Sequence, residues 1–169
     1  MSSPLSILQK YWNHQSFRPQ QEAIIQSALN QKDAIALLPT GGGKSVCYQI
    51  PGLMKDGLCL VISPLIALIK DQVANLERKN IPALALHSGQ TFYEVKQVLQ
   101  NAVQGDHKFL YVSPERLQTR IFKEYLSALN INLIAVDEAH CISQFSNLQI
   151  RWPEVITPLG NAMCFINCN

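Results

Sequence analysis

Five short apolar runs punctuate the chain: Ala34–Leu38, Leu58–Ser63, Ala83–Leu86, Phe109–Ser113 and Leu133–Val136. They are continuous rather than alternating, the pattern of strands covered on both faces of a sheet. The segments between them carry helical spacing. Pro64–Lys79 sets Leu65, Leu68, Ile69, Val73 and Leu76 on one face, and Thr91–Val103 does the same with Val95, Val98, Leu99 and Ala102. Lys44–Met54 reads as a further helix. Ahead of the first run, Pro4–Trp12 and Pro19–Leu29 read as two short helices, with Pro19 at a first helical position where its missing N–H costs nothing. Strands alternating with helices predict βαβ units, a parallel sheet with right-handed crossovers and a three-layer α/β fold. No internal repeat or low-complexity stretch interrupts this rhythm.

Composition narrows the picture. With 169 residues, 47% apolar and 15% charged, the chain has the makings of one ordered domain. A net charge of +2 is too slight for a polybasic arm, so any anion-binding surface must be built locally. The longest nearly apolar run, Leu58–Ile69, contains Ser63 and Pro64 and falls short of the ~20 residues that cross a bilayer. The start, MSSPLSILQK, lacks the layout of a signal peptide, so a soluble cytoplasmic protein is expected. The five cysteines (Cys47, Cys59, Cys141, Cys164, Cys168) form no CxxC pair and read as small apolar fillers.

Parallel sheets bind ligands at the carboxyl ends of their strands. The chemically suggestive residues fall there, just after the apolar runs: Thr40–Ser45, Ser63–Pro64, His87–Gly89, Ser113–Glu115 and Asp137–His140. The strongest signal is Leu38-Pro-Thr-Gly-Gly-Gly-Lys-Ser45, between a strand and a helix. Thr40, Gly41, Gly42 and Gly43 allow the backbone to wrap a phosphate with its N–H groups, and the helix start adds unpaired donors and a partial positive charge. Lys44 would reach the β- and γ-phosphates, and the Ser45 hydroxyl would bind Mg²⁺. The strict pattern asks for glycine where Leu38 stands, and an ordinary glycine-rich turn is the competing reading. The run Leu133–Val136 delivers Asp137, placed to hold the same Mg²⁺, and Glu138, placed to orient or deprotonate a water. Two acids at a solvated helix start are the bland alternative there.

Taken in order, FRPQQEAII, PTGGGKS, VISPLIALIKDQV, FLYVSPERL and VDEAHCISQ resemble the first RecA-like lobe of RecQ-type DNA helicases, a DEAH branch of superfamily two. The likeness runs from Leu5 to Gln144. It implies a P-loop, RecA-like ATP-binding domain that uses ATP and Mg²⁺ and acts on single-stranded or forked DNA. Within it, residues 1–31 would hold the adenine-recognition motif, 32–144 the ATP-binding core, and 145–169 a divergent tail. Gln21 matches the glutamine that reads adenine, and Arg18 an arginine of the same motif. Lys44, Asp137 and Glu138 match the catalytic set. His140, Gln144 and Phe145 match positions that couple nucleotide state to DNA, and Ser63 and Ser113 match segments lying along the single strand. For each serine alone, a helix N-cap is the competing reading.

The chain departs from the family in places. His14 stands where a tyrosine usually packs on the base, and Phe145 replaces the tryptophan of a DNA-sensing loop whose His-Asp pair is absent. Stacking on a base falls to Phe145 or Trp152. No Ser/Thr-Ala-Thr motif follows, and no second lobe with its arginine finger, zinc segment or winged helix. The expectation is therefore a truncated ATP-binding lobe that hydrolyses ATP slowly at most and does not unwind DNA alone, with a separate second lobe as a candidate partner. The competing expectation is a non-catalytic module that docks on nucleic acid or a partner. A GTPase reading fares worse, because no NKxD guanine-recognition segment is present.

Overall fold

The structure, a computed structural model, describes residues 3–39 and 41–137 and the backbone of 162–168. Helices α1 (Pro4–Trp12) and α2 (Gln21–Leu29) precede β1 (Ala34–Pro39), α3 (Lys44–Met54), β2 (Leu58–Ile62), α4 (Ile66–Glu77) and β3 (Ala83–Leu86). Then come α5 (Phe92–Gln104), β4 (Phe109–Val112), α6 (Pro114–Leu117), α7 (Arg120–Leu126), β5 (Ile131–Val136) and β6 (Ala162–Cys168). The strands lie in the order β1-β6-β5-β2-β4-β3, and every pair is parallel. The fold is the expected α/β parallel sheet of RecA type.

Alternate residues of the inner strands feed two cores. Cys59, Val61, Phe109, Tyr111, Leu133 and Ala135 face α3 and α4, while Leu58, Leu60, Ile62, Leu110, Val112, Ile134 and Val136 face α5 and α7. Both faces of β2 and β4 are buried throughout, which is why their sequences lack polar alternation. Each fully buried aliphatic side chain there contributes about 1.5–3 kcal/mol over its exposed state.

β1 departs from that pattern. Its residues Ile35 and Leu37 are 73% and 57% exposed. Among the described residues β1 ends the sheet, pairing only with β6, so one of its faces lacks the cover that the other strands have.

The helix starts also correct the sequence reading. Pro19 is not the first residue of α2; the chain turns first, with Gln21 N–H donating to Arg18 C=O and Gln20 in the left-handed region at φ +71. α5 begins as expected, because Thr91 and Glu94 form a reciprocal capping box. α6 and α7 are additions to the elements read from sequence. At the entrance to β2, Gly57 adopts φ +99, and a Cβ there would stand 2.5 Å from the Asn130 carbonyl oxygen. That carbonyl accepts from Leu58 N–H at 2.8 Å and fixes β2 against the start of β5.

Candidate nucleotide-binding site

The turn between β1 and α3 is held from outside by α2 and the segment before it. Arg18 Nη1 donates to the Gly41 carbonyl, and Gln21 Nε2 donates to the carbonyls of Gly42 (3.2 Å) and Gly43 (3.1 Å). Gln21 Oε1 accepts from Arg18 N–H at 2.8 Å, which locks the amide in this orientation. A trans peptide points its C=O and N–H in opposite directions. With two carbonyls drawn toward Gln21, the N–H groups of Gly43 and Lys44 are aimed to the other side, where a phosphate would sit. Gly42 N–H does not join them, since it donates to Pro39 C=O at 2.9 Å and closes the turn.

Two glycines are required for this shape. Gly41 and Gly43 adopt φ +75 and +72, and a Cβ on Gly43 would lie 2.5 Å from Gln21 Nε2. Gly43 also occupies the N-cap of α3 and, having no side chain, leaves the first donors of that helix uncapped by it. Lys44 and Ser45 open α3 and are half-buried. Thr40 lies outside the described residues.

Asp137 directly follows β5 and is 7% exposed; its N–H donates to Ile62 C=O at 2.8 Å. β5 and β1 flank β6, so their axes are about 10 Å apart. Ile35 and Val136 both pair with Cys164, and β1 continues to Pro39, opposite Cys168, beyond the level of Val136. Tyr48, one turn along α3 from Lys44, is fully buried within electrostatic reach of Asp137. Burial drives the Tyr48 hydroxyl well above its ordinary pKa, and the nearby Tyr111 and Asp137 add to the shift.

The donor set suits Mg²⁺. A hydroxyl at Ser45 and a carboxylate at Asp137 are hard oxygen ligands, of the kind Mg²⁺ takes one or two of while phosphates and water complete its shell. The glycine turn, whose Gly43 and Lys44 N–H groups face away from Gln21, fits a phosphate on that side. Next to the turn, His14, Gln15, Ser16, Arg18, Gln21, Gly43 and Val46 line a cleft of about 270 Å³. His14, at the position where the family resemblance places a base-packing aromatic, lines that cleft. A larger cleft of about 530 Å³, near Ser6, Lys10 and Lys108, lies at the amino ends of the strands, where parallel sheets do not place ligand sites.

The two serines expected along a DNA strand, Ser63 and Ser113, are enclosed at the ends of β2 and β4. Ser113 occupies the N-cap of α6 without making a side-chain cap, and the N-cap of α4 is Leu65, not Ser63. Nor are their N–H groups spare: Ser63 donates to Val112 C=O and Ser113 to Leu86 C=O, each extending the ladder by one residue. Their hydroxyls are buried, with no partner among the described residues. Beside them, Arg116 gathers the carbonyls of His87 (2.9 Å), Ser88 (3.3 Å) and Gln90 (2.7 Å) and pins that turn to the exit of β4. His87 Nδ1 accepts from Gly89 N–H at 3.2 Å. Burial lowers the His87 pKa, the charges of Lys70 and Arg116 lower it further, and Glu94 partly opposes them.

Glu138, His140, Gln144 and Phe145 lie outside the described residues, as does Trp152. Sequence reasoning missed a polar chain inside the core: Gln49 Nε2 donates to Gln72 Oε1 (3.1 Å) and to the Tyr111 hydroxyl (2.9 Å), which lies 3.5 Å from the Tyr48 hydroxyl. The available signal was a Tyr-Gln pair inside the apolar stretch Val46–Ile50. The Cys47 and Cys59 thiols are buried, and burial pushes Cys47 up to about 12, so both behave as the expected inert fillers. Among the described residues no helix is long and apolar enough to cross a membrane.

Comparison with known proteins agrees with this geometry. The sequence profile of the DEAD/DEAH box helicases matches residues 18–165. The ATP-dependent DNA helicase RecQ of Haemophilus influenzae is 50% identical over 143 residues, covering 85% of this chain and 23% of that protein. Its counterpart in Pasteurella multocida is 48% identical over 161 residues, covering 95% of this chain and 25% of the relative. The chain thus spans about a quarter of the length of these curated relatives. The crystal structure of the DUF1998 helicase MrfA superposes with a TM-score of 0.76 at 17% identity, covering 98% of this chain and 29% of that one, a likeness of fold alone. With its phosphate-type turn, its acid at the end of β5 and these relatives, the chain belongs to the DEAD/DEAH box helicase family and carries a RecQ-like ATP-binding domain.

Proposed function

We propose that the chain binds Mg-ATP at the turn after β1 and contacts single-stranded DNA along the carboxyl edge of its sheet, as the ATP-binding lobe of an ATP-dependent DNA helicase. The observation that carries the first part is the Gln21 strap, which aims the Gly43 and Lys44 N–H groups to one side above the start of α3. In this reading Lys44 neutralises the β- and γ-phosphates, Ser45 and Asp137 hold Mg²⁺, and Glu138 orients the attacking water. The metal, when bound, offsets charge building on the phosphate oxygens. The adenine base lies in the cleft beside His14 and Arg18.

For DNA the support is coarser. Leu65, Phe92 and Tyr93 are 56%, 71% and 68% exposed at the exits of β2 and β3. Exposed rings there give unpaired bases a stacking surface. With their strand-end groups enclosed, Ser63 and Ser113 serve this edge as buried anchors, and His140, Gln144 and Phe145 would carry the coupling. Unwinding requires a second lobe that closes on nucleotide, and the relatives named above extend well beyond the matched segment.

The test is nucleotide binding by the parent chain and by Lys44→Ala, followed by ATPase rates with and without oligothymidylate. Loss of ATP affinity in the variant and stimulation of the parent by the oligonucleotide are expected. Equal affinity in the two proteins would remove the phosphate assignment; a flat ATPase response would leave nucleotide binding without coupling to DNA.

A further inference from the structure

Arg116, at the exit of β4, tethers the starts of two helices. Its guanidinium gives three hydrogens to the turn before α5: Nε to His87 C=O at 2.9 Å, and Nη2 to Ser88 C=O at 3.3 Å and Gln90 C=O at 2.7 Å. Its own C=O accepts from the Thr119 N–H at 3.1 Å and from the Thr119 hydroxyl at 2.7 Å, directly before α7. Gln90 closes the turn from the other side. Its Oε1 accepts from His87 N–H at 2.8 Å, and its Nε2 donates to Ala85 C=O at 3.0 Å. Thr91 then caps α5, so the Phe92 and Tyr93 rings follow almost directly on the clamped carbonyl of Gln90. Between the two tethered helices lies a cleft of about 400 Å³, lined by Phe92, Lys96, Arg120, Ile121, Glu124 and Tyr125. Phe92 and Arg120 are the first residues of α5 and α7, so the cleft begins at the carboxyl edge of the sheet.

The cleft offers rings for bases, and two cations against one acid for the phosphates between them. The Tyr93 hydroxyl accepts from Gln97 Nε2 at 3.0 Å, which steadies the neighbouring ring. We propose that Arg116 is a positioning residue for single-stranded DNA. It does not meet a phosphate itself; by holding the turn His87–Gln90 and the start of α7 it sets Phe92 where an unpaired base stacks. The inference rests on the reading that DNA follows the carboxyl edge. The chemistry of the clamp explains why an arginine stands here. A planar fork presents Nε and Nη2 to three carbonyls at once, whereas a lysine ammonium is a point charge on a flexible stem. Positive charge alone therefore does not replace it.

The experiment follows fluorescence anisotropy of two labelled oligomers of equal length and charge, oligothymidylate and its abasic counterpart, over a range of salt concentrations. The full chain is compared with Phe92→Ala, Arg116→Lys, Arg116→Gln and Gln90→Leu. Loss of the ring in Phe92→Ala is expected to weaken oligothymidylate about tenfold and to leave the abasic oligomer unchanged. Both Arg116 variants should show the same base-dependent loss, about fivefold, because stacking is lost only in part. Their abasic affinity and salt dependence should match the parent, which a phosphate contact or a general loosening of the chain would not allow. Should the Arg116 variants fail to fold, Gln90→Leu, which opens the same turn without touching a charge, decides the matter by the same pattern. Parental oligothymidylate affinity in Arg116→Lys overturns the positioning role. So does an Arg116→Gln that weakens both oligomers with a salt slope lower by about 0.7, the mark of one lost phosphate contact on a single strand. Parental affinity in Phe92→Ala overturns the stacking position and leaves DNA binding itself standing. A parent chain that binds neither oligomer overturns the DNA reading and this inference with it.

Discussion

Replacing Gln21 with alanine removes three hydrogen bonds at once: the acceptor for Arg18 N–H at 2.8 Å and the donors to Gly42 and Gly43 carbonyls at 3.2 and 3.1 Å. A neutral hydrogen bond contributes about 0.5–1.5 kcal/mol net, and partly exposed ones fall in the lower half of that range. The loop would lose roughly 2–3 kcal/mol of order by that reckoning. Without the strap the two peptides are no longer held with their N–H groups on the phosphate side, so phosphate binding loses preorganisation. If about half of the loss appears in binding, affinity falls roughly tenfold. The discriminating assay compares ATP with inorganic triphosphate, which has no base. Because the strap orients backbone donors, both ligands should weaken by a similar factor. If Gln21 acts only by reading adenine, ATP weakens and triphosphate does not. An unchanged triphosphate affinity in Gln21→Ala, alongside weakened ATP, would refute the peptide-orientation argument. Gln21→Glu sharpens the test, since it still accepts from Arg18 but sets a negative charge against the two carbonyls.

Gly57→Ala forces a side chain into φ +99 and a Cβ to 2.5 Å from Asn130 O. The conformational cost and the clash together should destabilise by about 2–4 kcal/mol, seen as a melting temperature lower by about 5–10 °C. Burial makes His87 harder to protonate in the folded chain than in the unfolded one, which protonates at the ordinary 6.5. Stability from this group is therefore full above pH 6.5 and declines as pH falls through 6.5 toward the lowered folded value. In thermal melts across this range, His87→Asn should lose less stability on acidification than the parent; parallel curves would count against it. Ile35→Lys combined with Leu37→Glu puts charge on the open face of β1. It should shift a concentration-dependent elution profile toward the monomer, and an unchanged profile would show that this face does not drive association.

What could be read from the sequence followed from period and position. The runs at Leu58–Ile62 and Phe109–Val112 are apolar throughout because helices cover both sides, and that signature survives without coordinates. Ile35 and Leu37 carry the same signature, yet their exposure depends on which strands flank β1, information that lies far along the chain. Likewise the glycine turn could be read as a candidate phosphate loop, but nothing in FRPQQ says that Gln21 bonds to loop carbonyls, since that needs α2 laid beside the turn. The surroundings of Ser63 and Ser113 were hidden for a related reason. A serine after a strand looks like a cap or an open hydroxyl until the neighbouring strand is seen to claim its N–H. Tyr48 and Tyr111 are 63 positions apart, and only the pairing of β2 with β4 and the seating of α3 bring their hydroxyls together.

The place of β6 has a consequence for how the protein is made. The two strands it joins are complete by Val136, but β6 itself spans Ala162–Cys168. During synthesis, at ~5–20 residues per second, roughly two to six seconds separate the last residue of β5 from the last of β6. For that interval β1 and β5 present unpaired edges across a slot one strand wide. Any extended peptide that enters first, from a neighbouring nascent chain or a chaperone client, competes for the slot. The turn after β1 and Asp137 after β5 thus come into register through a strand that is made after both.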